Sequence, residues 1–509
     1  QVSCSLELGV AFASPLGFHA KDRIARTLSN MGPKASKCSE QEAPRSVSSA
    51  VDLDSAVRMA LEKQRAFFAT GATKQVGWRR EMIKKLASSV IEAADRISEA
   101  QAADGVCPSD MRGAAGMMTG AMYHYLGNVG KWAVPVELED TMPAERRGGV
   151  ECDWLCVSEP KGLVLNIAPW NAPALLSVLP CLGALAAGNC CVIKPPDAAP
   201  ATSKLLMELV VESVPPEAVI VVEGGAAVSE GLIDYGFDHI MFTGGTSIGR
   251  LVMQRAAATL TPVTLELGGK NPVFVDTMDD GLLDAAVREL VGTKHYFSGE
   301  FCQCHDILLV LDGMFEKFMD QMSRGIAALG ERRMVRLIHR KHYQRVKHMF
   351  TSHKGEARPA PIACDDEGLR MPVTMIVEPQ ADDMIMREEV FGPLWVVLKV
   401  STLEEAIRRA NSIPTGKPLV SYYYGQDMSH AASWQAGTSS GSLAINAGPM
   451  RLQSNFNAAI HGAGNSGLGG ASIWGHHVFD TFSHKKHVVR PKNGAFANSI
   501  WAGPSHAPC

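Results

Sequence analysis

"GLVLNIAPWNAPALLSVLPCLGALAAGNCCVIKPPDAAP", residues 162–200, decides how the chain folds. The apolar stretch from Gly162 to Pro195 is the longest in the sequence, yet it is broken at Asn166, at Pro169-Trp170-Asn171-Ala172-Pro173 and at Pro180. A membrane helix needs ~20 unbroken apolar residues. A buried strand, a loop, a buried helix and a second strand account for the stretch better.

The same alternation extends outward. "AVIVVEGG" and "HIMFTGG" are further β-rich runs, with helical segments near 173–187, 200–213 and 227–235 between the runs. After 270 it returns: "NPVFVD", a helix near 280–295, "DILLVLD", a helix near 312–328, "LWVVLKV", a helix at 402–411, "LVSYYYG", a helix at 427–436 and "SLAIN". Strands alternating with helices predict parallel sheets covered on both faces. The expected class is α/β, with two doubly wound parallel-sheet domains in tandem. Helical periodicity from Val51 and over 109–131 predicts a helical layer before the first sheet. Segments 139–160 and 485–509 fit neither domain, and 353–370 reads as a surface loop.

The 509 residues carry a net charge of −4, which argues against a nucleic-acid partner. No integral membrane segment is expected. Twelve cysteines show no even framework, and a chain this long needs no disulfides, so reduced intracellular thiols are expected. The chain opens on Gln1, which reads as a fragment or a processed product. Residues 1–49, rich in Ser and Ala, are expected to be a targeting remnant or a disordered extension. The expected setting is soluble and intracellular: cytoplasm, or the stroma of a plastid or other organelle.

Four strings carry chemistry. In "FTGGTSIGR", 242–250, a strand, a glycine turn and a helix start form a loose dinucleotide-type loop, and N–H groups at a helix start attract phosphate; a bland strand–turn–helix reads as well. In "NCCVIKPPD", 189–197, Lys194 ends a β run where open α/β sheets bind ligands, with Asp197 three residues on; a solvated lysine before a turn is the alternative. In "TLELGGKNP", 264–272, Glu266 lies inside an apolar run. Burial there raises a carboxyl pKa towards a general base's range, unless the residue faces solvent or a lysine. In "FSGEFCQCHD", 297–306, Cys302 follows a glycine turn and is a candidate nucleophile. His305 is too near in sequence to aim at it as a hydrolase base. Cys302, Cys304 and His305 lack metal-ligand spacing and a fourth ligand, so no metal is expected.

In their order and spacing these strings resemble the aldehyde dehydrogenase superfamily, most closely its class 3 branch of fatty and aromatic aldehyde dehydrogenases. The likeness runs over roughly 50–490, through "SEPKGLVLNIAPWNAP", "LTPVTLELGGKNPVFVD", "EEVFGPLWVV" and the class 3 marker "TFSH". It implies oxidation of an aldehyde to an acid with NAD or NADP, through a thioester on Cys302. Glu266 would activate the hydrolytic water and Asn171 would donate to the oxyanion. Lys194 and Asp197 would hold the adenosine ribose. Gly245 and Gly249 would serve the pyrophosphate. Glu389 would bind the nicotinamide ribose, with Phe391, Trp170 and Leu267 also lining the cofactor site. The implied organisation is a cofactor-binding domain from 50–138 and 161–267, a catalytic domain at 268–441, and oligomerisation arms at 139–160 and 442–509 that build a homodimer.

The sequence departs from the family pattern near the nucleophile. Phe297 replaces Asn, and Glu300 replaces Gln two residues before Cys302, where a carboxylate would raise the thiol pKa if it is ionised nearby. Ala459-Ile460-His461-Gly462 replaces Pro-Phe-Gly-Gly, Ala447 replaces Asp and Pro196 replaces Ser. These changes motivate an alternative: a catalytically impaired subunit serving as a structural partner in a larger assembly.

Overall fold

Asn166 and Pro180, the two residues that interrupt the long apolar run, answer each other. The run folds into strand Leu163–Ile167, helix Pro173–Ala187 and strand Cys190–Lys194. Pro180 lies inside the helix and has no N–H for the carbonyl of Leu176, four residues earlier. The Asn166 amide donates to that carbonyl at 3.2 Å and to that of Ser177 at 2.8 Å. The breaker is thus satisfied from the neighbouring strand, as a buried carbonyl requires. Every residue of this helix is buried except Leu175.

The computed structural model describes residues 50–106, 110–141, 151–458, 461–469, 472 and 475–492; the N-terminal extension read at 1–49 lies outside them. The chain divides into Gln1–Asp54 and Ser55–Cys509, and both large sheets belong to the second unit. The first sheet orders its strands Gly467–Leu468, Val263–Leu267, His239–Gly244, Leu163–Ile167, Cys190–Lys194 and Val219–Val221. All pairs are parallel except that of Gly467–Leu468. The second orders Glu356–Arg358, Thr374–Val377, Leu394–Val400, His305–Leu311, Asn271–Val275, Val420–Tyr424 and Ser442–Ile445. Only its first pair is antiparallel.

Side chains alternate across the second sheet with the two-residue period of a strand. Val273 and Val275 pack with Trp395 and Tyr422 on one face, and Phe274 packs with Tyr423 and Trp434 on the other. Both faces are therefore dry, as parallel strands require. The α/β class with two parallel sheets is the one expected.

One expectation needs correction. Segment 353–370 is not all loop, because Glu356–Arg358 pairs with Thr374–Val377. Of the segments that fit neither domain, Ser483–Pro491 pairs antiparallel with Cys152–Pro160, which also pairs with Val136–Leu138. Of those segments, 142–150 and 493–509 lie outside the described residues. Helix Arg340–Ser352 was not anticipated.

One buried ion pair locks the second sheet to the loop after it. Lys270 pairs with Asp306 across two adjacent strands. Its ammonium also donates to the carbonyls of Ile385 at 2.8 Å and Glu388 at 3.0 Å, while Asp306 accepts from the Val390 N–H at 2.8 Å. Both side chains are almost wholly buried, and removing one partner strands the other's charge in a medium that cannot solvate it. Asp306→Ala is therefore expected to lower the unfolding free energy by about 3–5 kcal/mol in urea titration; a loss below about 1 kcal/mol contradicts this role.

Candidate active site

The loop that carries Cys302 runs from the end of helix Asp280–Tyr296 to strand His305–Leu311. Asp279 starts that helix by accepting the Leu282 N–H at 2.8 Å, as an N-cap carboxylate does. Within the loop a turn closes from the Cys304 N–H to the Phe301 carbonyl at 2.9 Å. The other carbonyls are taken by side chains from elsewhere. Asn171 donates to Glu300 at 3.1 Å, Asn271 to Cys302 at 2.8 Å and to Cys304 at 2.9 Å, and the Tyr422 hydroxyl to Gln303 at 2.6 Å. Asn271 in turn accepts the Val420 N–H at 3.0 Å. With the carbonyls held in the protein, the N–H groups of Cys302 and Gln303 are left to face the Cys302 sulfur.

Cys302 opens onto a cavity of about 760 Å³ whose wall also includes Glu266, Asn171, Trp170, Gly245, Leu267, Glu389 and Phe391. Three residues singled out in the sequence are not on this wall. Lys194 is buried at the end of its strand. Asp197 is exposed, near Gly225 and His339. Gly249 is buried in helix Thr246–Ala256, where an added Cβ would lie 2.8 Å from Leu267 Cδ2; its service is close packing of helix on strand.

The thiol and carboxyls are perturbed together. Burial, then the carboxylates of Glu389 and Glu266, pushes the Cys302 thiol up to about 12, against which its own N–H and that of Gln303 pull down. Burial raises Glu266 well above the ordinary carboxyl range, and the Gly462 N–H opposes this. Glu389 is raised to about 8, first by burial, against a hydrogen bond from Gly269.

The other side of the cavity is built from backbone. Helix Thr246–Ala256 begins after Gly245, which supplies no side-chain cap, so its first N–H groups are free for an anion. The Thr243 hydroxyl, also on the cavity wall, is buried without a partner. The Glu389 carboxyl occupies the space over Gly268, where a Cβ would stand 2.1 Å from Oε2. Arg345 from helix Arg340–Ser352 donates to the carbonyls of Glu389 at 3.0 Å and Val390 at 2.6 Å, and His342 bonds that of Phe391 at 2.7 Å. Trp170 packs edge-on against Phe391 with centroids 5.4 Å apart.

The departures from the family pattern have definite places. Phe297 stacks on Phe301 at 4.3 Å on the cavity wall and leaves the thiol open. The condition under which Glu300 would raise the thiol pKa is not met. Its carboxyl turns away to accept the Ile338 N–H at 3.1 Å beside His342 at 3.5 Å, and the carboxylates that press most on the thiol are Glu389 and Glu266. Ala459 and Ile460 lie outside the described residues, whereas Gly462 is the backbone donor to Glu266. Sequence reasoning missed Asn271, Tyr422, His342 and Arg345. The argument that singled out Glu266, a polar group inside an apolar run, applies equally to Lys270 and Asn271, four and five residues on.

The aldehyde dehydrogenase family model matches residues 37–488. Aldehyde dehydrogenase family 3 member H1 of Arabidopsis thaliana is 36% identical over 352 residues, 65% of this chain and 69% of the relative. The dimeric NADP-preferring aldehyde dehydrogenase of Rattus norvegicus is 31% identical over 441 residues, 85% of this chain and 94% of the relative. Among solved structures, the substrate-bound state of Staphylococcus aureus AldH superposes with a TM-score of 0.79 at 28% identity, covering 89% of this chain and 96% of that one. A chain matched by one model over most of its length, and identical to class 3 members at about a third of the aligned positions, belongs to the aldehyde dehydrogenase family and oxidises aldehydes with NAD or NADP.

Proposed function

We propose that Cys302 carries the reaction, Glu266 prepares its hydrolytic step, and Asn171 with the Cys302 N–H holds the oxyanion. The observation that supports this most is the convergence of thiol, carboxyl and amide on one cavity from positions 171, 266 and 302. The sulfur gives up its proton and adds to the aldehyde carbon, making an alkoxide. One N–H of the Asn171 amide is committed to the Glu300 carbonyl, which fixes the amide plane and leaves the second for that oxygen. Donors aimed in advance at a developing charge are each worth a few kcal/mol. Bound NAD or NADP supplies the acceptor for the hydride that the collapsing alkoxide expels. The thioester left on Cys302 is cleaved by water deprotonated by Glu266, which burial makes a stronger base than an ordinary carboxylate.

The cavity fits the cofactor on its own evidence: an uncapped helix start, an unpartnered Thr243 hydroxyl and a carboxyl seated over Gly268. We assign the pyrophosphate to the N–H groups after Gly245, the nicotinamide ribose to Glu389, and the adenosine ribose to Lys194 and Asp197. In this reading the sheet of 163–267 takes the cofactor and the sheet of 271–445 supplies the nucleophile.

We also propose a homodimer. Ile248 and Leu251 are exposed on helix Thr246–Ala256, as are Val134 and Val136 by the three-stranded sheet. Ser483–Pro491 leaves one edge unpaired among the described residues, and the rat relative is named dimeric. Sedimentation velocity is expected to give twice the chain's mass; a monomer at micromolar concentration refutes the pairing.

Absorbance of the reduced nicotinamide should grow when wild-type protein meets an aldehyde and NAD or NADP. Cys302→Ala is expected to abolish that growth while cofactor still quenches tryptophan fluorescence. Glu266→Gln should keep a first burst of hydride transfer and slow steady turnover by about 10²-fold or more. Normal steady turnover by either variant overturns its assigned role.

The thiol pKa of about 12 without cofactor gives a separate expectation. Iodoacetamide reacts with thiolate, so inactivation of cofactor-free enzyme should be slow at neutral pH and still rising with pH above the ordinary thiol range. A plateau reached by pH 8 contradicts the electrostatic picture.

A further inference from the structure

Gln101, on helix Ala94–Asp104, is 3% exposed, and its side-chain oxygen is buried with no hydrogen-bond partner. The residue lies on the wall of the cavity that holds Cys302. Buried amides in folded proteins are nearly always paired, and leaving one unmade is expensive. Met117, Leu175 and Leu179, from helices Asp110–Trp132 and Pro173–Ala187, share this wall.

These residues also set a direction. Helix Pro173–Ala187 starts just after Asn171, and Leu175 and Leu179 are one turn apart on it. The cavity therefore follows this helix for roughly 9 Å from its first residue to Leu179, at ~1.5 Å per residue. Leu175 is the one residue of the helix that is not buried, because it faces this space. The cavity thus joins a reactive end at Cys302, an apolar body and an isolated amide.

We propose that Gln101 recognises a hydroxyl group carried by the aldehyde substrate at the end remote from its carbonyl. A hydroxyl both donates and accepts, so it satisfies the amide whichever way its oxygen and nitrogen are turned. An ammonium or carboxylate in its place would be buried among Met117, Leu175 and Leu179 without a counter-charge. The substrate class is an aldehyde with an apolar body, alkyl or aromatic, ending in a neutral hydroxyl. The inference rests on Cys302 being the nucleophile of the proposed reaction.

The test compares matched pairs: octanal with its omega-hydroxy counterpart, and cinnamaldehyde with para-hydroxycinnamaldehyde. For wild-type enzyme, kcat/KM should favour the hydroxylated member of at least one pair by about tenfold or more, since a site built to hydrogen-bond a hydroxyl rejects the analogue lacking it. Gln101→Leu, with Gln101→Met as a second variant of similar volume, should bring that ratio to one or below. Wild-type enzyme that oxidises both members of both pairs equally well, or a folded variant that keeps the ratio, overturns the role of Gln101 and leaves the dehydrogenase reading standing. Failure to oxidise any of the four aldehydes overturns both. Should neither variant fold, the wild-type ratios still decide, because a ratio near one in both pairs rejects the proposal.

Discussion

Asn271 holds the carbonyls of Cys302 and Cys304 with one amide group and the strand beginning at Val420 with the other end of the same side chain. Peptide groups are planar, so fixing a carbonyl fixes the N–H on the opposite side of the same plane. Asn171 and Tyr422 fix the carbonyls of Glu300 and Gln303 in the same way. The Gln303 N–H beside the sulfur, in the same peptide as the Cys302 carbonyl, is therefore aimed by Asn271. Asn271 and Tyr422 lie on strands of the second sheet and Asn171 follows a strand of the first, so the alignment of the loop that carries Cys302 depends on how the two sheets meet.

The Lys270–Asp306 pair extends this control to the opposite wall. Lys270 is the residue before Asn271, and Asp306 lies two residues after Cys304. The segments that clamp the Cys302 loop therefore also carry the charges that hold 385–390 in place. Glu389 and Phe391 follow from that segment. The pairing of two adjacent strands, Asn271–Val275 and His305–Leu311, whose register shifts between Asn271 and Pro272, thus sets the spacing between the Cys302 thiol and the opposite wall.

The two sheets were legible because parallel strands, dry on both faces, appear as plain apolar runs, and the run at 162–200 could be read even through its breakers. Cys302 and Glu266 drew notice because each stands out chemically in its string, and Asn171 because of the family resemblance; the structure brings all three to one cavity. Helix Arg340–Ser352 was not, because nine of its thirteen residues are polar or charged to the eye. Its buried face, His342, Tyr343, Val346 and Met349, does keep the three-to-four spacing of a helix. Yet His342 and Arg345 serve the site by bonding backbone carbonyls at 389–391, and no local pattern announces a partner 45 residues away. Asn271 escaped for a like reason: its partners are main-chain atoms, which leave no trace in side-chain identity.

Glu300 shows why a departure from a family pattern need not damage a site. Burial raises its carboxyl to about 8, so at neutral pH it is largely protonated. A protonated carboxyl is a planar neutral group with one donor and one acceptor face, close in shape and bonding to the glutamine amide it replaces. It accepts the Ile338 N–H and lies beside His342, whose own pKa burial lowers to about 3. The contact is thus between two neutral groups. The sign of the linkage follows: the folded state binds this proton more tightly than the unfolded chain, so the stability it contributes is complete below the ordinary carboxyl pKa and is lost as pH rises through about 8. The acid is tolerated where an amide is usual because folding keeps it uncharged, and because its backbone carbonyl, held by Asn171, does the positioning that the nucleophile loop requires whatever the side chain.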